Sequence, residues 1–252
     1  MSDKVEINPF AIISTSRAGS TWFCEVVRQT FHLNLFREDF NPNVFSLLKD
    51  ETISTGEFLA WARILILSRV RGNHPYTKLI WDNVPALLKL LNKEESDLMI
   101  GILDKLKPSL IRLRRKDQVA QAVSRFIAGK TGVWHIKSRK KKKSWKQLFL
   151  PAPIQQVEYD FSKIKLHYDL LKRVDTHLDG IFSNSGFQKL QIDYEEFIDS
   201  PEQYLTEIGE LLNIKIVRPF QEINSGYEPT GSHKNNLISQ FRADLSSSEV
   251  DS

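Results

Sequence analysis

Cysteine is nearly absent from this sequence: Cys24 is the only one in 252 residues, which excludes an internal disulfide. There is no CxxC or HExxH motif, and the six histidines are scattered, so no structural metal site is predicted. Long apolar runs are missing too. None approaches the roughly 18 uncharged residues that a membrane span requires. The opening segment, MSDKVEINPF, carries acidic residues where a signal peptide needs a basic n-region. These absences predict a soluble, cytoplasmic protein with no transmembrane segment. No internal repeat and no domain linker breaks the chain.

What is present suits one globular unit. Apolar residues make up 41% of the chain and aromatics 10%, enough for a full core, and residues 1–252 are predicted to form a single α/β domain. The formal charge of +4 is misleading until it is located. Lys137, Arg139, Lys140, Lys141, Lys142, Lys143 and Lys146 together outweigh it, so the rest of the chain is net negative. One irregular insertion at 136–156, ending in FLPAPIQQ, makes the protein basic.

Periodicity gives the architecture. FAIIST (10–15) precedes an amphipathic stretch at 20–31, and YTKLIW (76–81) precedes VPALLKLL (84–91). SLIRLRR (109–115) precedes DQVAQAVSRFIAG (117–129), and FQKLQIDYEEF (187–197) precedes SPEQYLTEIGELLNI (200–214). A long helix is predicted over 157–182. Alternating strands and helices predict a mostly parallel sheet covered by helices on both faces, with ligands at the carboxyl ends of the strands. Ser200-Pro201 reads as a cap followed by proline at the first helical position.

The strongest motif is the first turn. STSRAGST can be laid over the GxxxxGK[ST] phosphate loop, with Gly19 as the second glycine and Thr21 as the final hydroxyl. Ser14 then replaces the first glycine and Ser20 the lysine, and the cation has moved to Arg17 inside the loop. Backbone amides at Arg17, Ala18, Gly19, Ser20 and Thr21, at the start of a helix, make an anion nest. Arg17 adds a planar fork able to contact two oxygens at once. Trp22, Phe23 and Cys24 read as core residues of the helix that follows.

STSRAGSTWF resembles the 5′-phosphosulfate loop of sulfotransferases, in the arginine-containing form found in bacterial carbohydrate enzymes. RRKDQVAQAVSRFIAGKTGVWH (114–135) is similar to the second signature of the bacterial trehalose sulfotransferase-like family. The likeness continues weakly through YTKLIWDN and IDYEEF, over most of residues 9–214. It implies a P-loop nucleotide-kinase-like fold and transfer of a sulfuryl group from 3′-phosphoadenosine 5′-phosphosulfate to a hydroxyl of a carbohydrate or glycolipid. It also implies that Arg115 and Ser124 hold the 3′-phosphate, and that the enzyme is a homodimer. Arg114 is the alternative to Arg115, since neighbouring strand residues point to opposite faces.

A hydroxyl nucleophile must lose its proton to a group within hydrogen-bond reach. Glu38, in NLFREDF, lies where the related enzymes carry their proposed glutamate base; Asp39 and His135 are the alternatives. Lys78, Trp81 and Asn83 follow another strand, and Lys78 and Trp81 are candidates to contact substrate. Two rival readings remain open at this level. One is a metal-dependent nucleotide or sugar kinase of the same fold, which the missing loop lysine argues against. The other is an anionic-polymer-binding protein acting through KSRKKKKSWK, which would leave both anion motifs unexplained; no nucleic acid is expected as partner.

Overall fold

Residues 9–34, 36, 76–83, 108–134, 157–184, 186–225 and 234–250 are described by a computed structural model. Four parallel strands form the sheet among these residues: β1 (Phe10–Ser14), β2 (Tyr76–Ile80), β3 (Ser109–Arg114) and β4 (Lys189–Asp193), in the order β2-β1-β3-β4. Every residue of β1 is buried, as expected of a central parallel strand covered on both faces. Register aligns Ser14 with Ile80 and Leu113, and Arg114 with Asp193. All four carboxyl ends therefore open on one rim.

The helices are α1 (Ser20–Thr30), α2 (Gln118–Thr131), α3 (Phe161–Asn184), α4 (Tyr194–Asp199), α5 (Pro201–Leu212) and α6 (Asn235–Val250). On one face of the sheet, Phe10, Ile12, Ile111, Leu113 and Ile192 pack with Phe23 and Val27 of α1, Phe197 of α4, and Leu205 and Ile208 of α5. The other face carries Arg112. That side chain is wholly buried, donating to the carboxylates of Asp175 and Asp179 on α3 and to Gln191 on β4. Such a charge is tolerable in the interior only because it is paired and hydrogen-bonded.

Local chemistry fixes the ends of α2. Asp117 caps its start, accepting from the Ala120 amide at 2.9 Å, and Gly132, at φ 67°, closes it by donating its amide hydrogen to the Ala128 carbonyl. Ser200 and Pro201 begin α5 as the sequence predicts, although the Ser200 side chain makes no capping bond.

Two elements differ from expectation. The segment 187–197 is a strand only to Asp193, after which α4 begins at Tyr194. Helix α6 has no counterpart in the sequence reading; its Phe241 and Leu245 pack on Phe126 and Ile127 of α2 and on Ile164 and Leu171 of α3. The predicted helix 84–91 and the basic insertion 136–156 lie outside the described residues. No helix among those described is long and apolar enough to cross a membrane.

Candidate active site

The turn between β1 and α1 is built on two left-handed residues, Arg17 at φ 64° and Gly19 at φ 88°. Glycine takes that conformation freely, whereas arginine is held in it at a cost of about 1–2 kcal/mol. Gly19 is constrained a second way, because a Cβ there would collide with the ring of Tyr194 at the start of α4. The Phe23 amide makes the first intrahelical bond, to the Gly19 carbonyl, so the amides of Gly19 to Trp22 precede the helix ladder at its positive end.

Helix α2 reads this loop with one face. Gln121, Ser124 and Arg125 stand at i, i+3 and i+4 and therefore share a side of the helix. Gln121 Nε2 donates to Thr15 Oγ1 and to the Ser16 carbonyl, both at 2.7 Å. Ser124 Oγ accepts from Arg17 Nε at 3.0 Å. The same hydroxyl oxygen accepts from Lys234 Nζ at 2.8 Å. Arg17 also donates through Nη1 to the Trp134 carbonyl.

Arg115 closes the cluster. Its Nη1 donates to the Arg17 carbonyl at 3.2 Å, and its guanidinium lies over the Tyr194 ring, 5.4 Å from the centroid. Arg115 Nε is buried and has no hydrogen-bond partner among the described residues. The Glu195 carboxylate is 3.7 Å from it, beyond bonding reach, and accepts instead from the amides of Lys116 and Asp117. Arg114 faces elsewhere and pairs with Asp193 across β3 and β4 through bonds of 2.7 and 3.1 Å. The loop arginine is therefore joined by Arg115 and not by its neighbour.

Two cations, Arg17 and Lys234, thus share one serine hydroxyl, and Arg115 lies near enough to repel both. Burial, and then repulsion from Arg115, lower the pKa of Arg17. Burial, with repulsion from Arg17 and Arg115, brings Lys234 down from 10.5 to about 7. Lys234 carried no signal in the sequence, since its partner Ser124 lies 110 residues away. Gln121 and Arg125 were within reach of sequence reasoning, as helical neighbours of Ser124.

Lys78 enters from β2. It is buried, and its Nζ donates to Thr21 Oγ1 at 3.2 Å, behind the start of α1. Trp81 is buried as well, with its ring 6.1 Å from that of His177. Arg17, Ala18, Gly19, Ser20, Thr21, Lys78, Arg115 and Ser124 therefore gather at one rim, while Trp81 is embedded beside α3. Glu38, Asp39, His135 and the lysine run 137–146 lie outside the described residues.

This arrangement can hold a polyanion between a helix start and a cation cluster. Comparison with known proteins bears on which polyanion. No curated protein matches the sequence. A sulfotransferase from Alicyclobacillus acidocaldarius is similar at 13% identity and a TM-score of 0.47, covering 95% of this chain and 93% of that one. The sulfotransferase domain of the Synechococcus PCC 7002 olefin synthase has 15% identity and a TM-score of 0.44, over 95% of this chain and 89% of its own. That of the curacin biosynthetic pathway has 12% and 0.45, over 93% and 97%. Likenesses at this level carry no argument. The family comparison does, because the Stf0 sulphotransferase model matches residues 9–219, from the first strand through the arginine loop and the Arg115 to Ser124 segment to the end of α5 and beyond. The chain belongs to the Stf0 sulphotransferase family.

Proposed function

We propose that this chain transfers a sulfuryl group from 3′-phosphoadenosine 5′-phosphosulfate to a hydroxyl of a carbohydrate or glycolipid. The observation that carries the donor half is the gathering of three cations at the loop, Arg17 and Lys234 donating to Ser124 and Arg115 to the Arg17 carbonyl, with Arg115 Nε buried and without a hydrogen-bond partner among the described residues. Two like charges about 4 Å apart repel by about 4 kcal/mol at an effective dielectric of about 20. A dianionic phosphate seated among them relieves that repulsion and supplies an acceptor for the orphaned Nε–H. The residues present thus fit a nucleotide bearing a second phosphate.

In this reading Arg115, Ser124 and Lys234 take the 3′-phosphate, and the amides of Gly19 to Thr21 take the 5′-phosphosulfate at the helix start. Lys78, whose ammonium already reaches the Thr21 hydroxyl, belongs to the donor side of the substrate site. Trp81 touches substrate only if its buried setting opens.

The acceptor oxygen forms a bond to sulfur as the bond from sulfur to the bridging phosphate oxygen breaks. The products are the sulfate ester, 3′,5′-adenosine bisphosphate and a proton. Negative charge grows on the departing oxygen, where Arg17 and the loop amides stabilise it more than they do in the ground state. Glu38 is the proposed base for the acceptor proton, with Asp39 and His135 as alternatives. The carbohydrate acceptor, the homodimer and a cytoplasmic setting rest on the sequence reading and not on the geometry. Incubating the protein with the donor and a glycan panel, with mass spectrometry of the products, tests the proposal: a sulfated glycan supports it. Magnesium-dependent phosphorylation of the panel by ATP, with no sulfation, overturns it.

A further inference from the structure

We propose that Asp82 and Arg125 are positioning residues for sulfuryl transfer, a buried ion pair that holds Arg17 in its working conformation by gripping Ser16. The inference rests on the functional reading above.

Ser16 immediately precedes Arg17, and all three of its polar groups are held. Its amide donates to Asp82 Oδ1 at 2.7 Å, its hydroxyl accepts from Arg125 Nη1 at 2.8 Å, and its carbonyl accepts from Gln121 Nε2 at 2.7 Å. The grips come from two separate elements, the short 3-10 turn Trp81–Asn83 after β2 and the loop-facing side of α2. Asp82 and Arg125 also pair with each other, and the Asp82 side chain is fully buried.

Stability alone is a poor reason for such a pair. Taking two charges out of water costs several kcal/mol per ion, and an apolar pair of similar volume is often as stable or more so. What the pair supplies is a fixed backbone at the residue before a strained one. A non-glycine residue at φ 64° persists only where its surroundings over-determine it. Here the surroundings fix the preceding peptide from both sides, and so aim the Arg17 side chain.

The pair also removes an electrostatic conflict. The Asp82 carboxylate stands one residue from a loop that binds a polyanion, and Arg125 neutralises it. Losing Arg125 alone would leave a buried negative charge beside the donor, whereas losing both charges would not. Burial lowers the pKa of Arg125, and Arg125 in turn, after burial, lowers that of His167 on α3.

The test compares Asp82→Leu, Asp82→Asn, Arg125→Met and the double variant Asp82→Asn/Arg125→Met. Two quantities are measured: kcat for donor turnover with water as acceptor, and Kd for 3′,5′-adenosine bisphosphate. Asparagine keeps an oxygen for the Ser16 amide and leucine does not. Asp82→Leu is therefore expected to lower kcat about 10²-fold, the scale of a small misplacement of a catalytic group, while binding the bisphosphate no more weakly than wild type. Asp82→Asn is expected to recover at least about a tenth of wild-type kcat. The double variant is expected to bind the bisphosphate at least about tenfold tighter than Arg125→Met.

Equal kcat for the leucine and asparagine variants, or a double variant that binds no tighter than Arg125→Met, overturns the positioning role. If Asp82→Leu does not fold, the comparison of Arg125→Met with the double variant decides. A wild type that neither binds the bisphosphate nor turns over the donor overturns the functional reading and this inference together. A wild type that does both while the variants miss the pattern overturns only the inference.

Discussion

Replacing Lys234 with methionine should make the empty protein more stable and the site worse. A lysine whose pKa falls from 10.5 to about 7 on folding carries a cost fully present below pH 7. That cost is relieved as pH rises towards 10.5, because over this interval the unfolded chain binds the extra proton. The shift corresponds to about 5 kcal/mol at pH 6. Methionine fills similar space without charge but forfeits the 2.8 Å bond to Ser124, worth about 1.5–3 kcal/mol as a charged hydrogen bond. The net expectation at pH 6 is a gain of about 2 kcal/mol, or about 4–8 °C in Tm for a chain of this size. At pH 9.5 little of the charge cost remains, and the lost bond should bring the variant level with wild type or below it. At pH 6 the bisphosphate should bind at least about tenfold more weakly, because one of the cations facing its phosphate is gone. Thermal melts from pH 6 to 9.5, with calorimetric titration at pH 6, check both halves. A variant less stable than wild type at pH 6 that binds the bisphosphate equally well would refute the assignment of Lys234 to an anion site.

Other substitutions separate roles within the cluster. Arg17→Ala should reduce donor turnover by about 10²-fold or more, the scale of one lost oxyanion donor, and near-normal turnover would remove Arg17 from the catalytic step. Arg115→Ala and Ser124→Ala should weaken bisphosphate binding far more than they lower kcat, since the 3′-phosphate lies away from the reacting sulfur and supplies largely uniform binding. Arg114→Ala, which breaks the pair with Asp193, should lower Tm and leave that affinity unchanged in the same titration. Glu38→Gln should abolish transfer to the acceptor while both substrates still bind; the same loss in Asp39→Asn or His135→Asn, with Glu38→Gln active, would reassign the base.

Much of the fold could be read from the chain because its signals are local. The run Phe10–Ser14 is continuously apolar up to its serine, small residues follow, and a helical period begins at once, so β1, the loop and α1 fall within a residue of expectation. Asp117 and Gly132 bracket α2 with ordinary cap chemistry. The segment 187–197 misled because α4 is only six residues long, too short to show a helical period, and its Tyr194 and Phe197 suit a strand equally well. In α6, Leu237, Ile238, Phe241 and Leu245 keep a helical spacing, but serines and charges dilute it.

The site divides along the same line. Arg17 sits in a loop motif that is visible in the sequence, and Arg115 and Ser124 sit in a segment singled out by its resemblance to the second sulfotransferase signature. Lys234 and Asp82 do not, because what makes them matter is tertiary: one is buried among cations on other elements, and the other reaches Ser16 across 66 residues. The burial of Arg112 is tertiary too, since α3 supplies the aspartates that let it lie in the interior.

The central claim is that Arg115, Lys234 and Ser124 receive the second phosphate of the donor, and calorimetric titration of wild type with 3′,5′-adenosine bisphosphate and with AMP tests it most directly. The two ligands differ by that phosphate alone. Charge-assisted bonds from Arg115 and Lys234, each worth about 1.5–3 kcal/mol, predict that the bisphosphate binds at least about 10²-fold tighter. Equal affinity for the two, or tighter binding of magnesium ATP than of either, would contradict it.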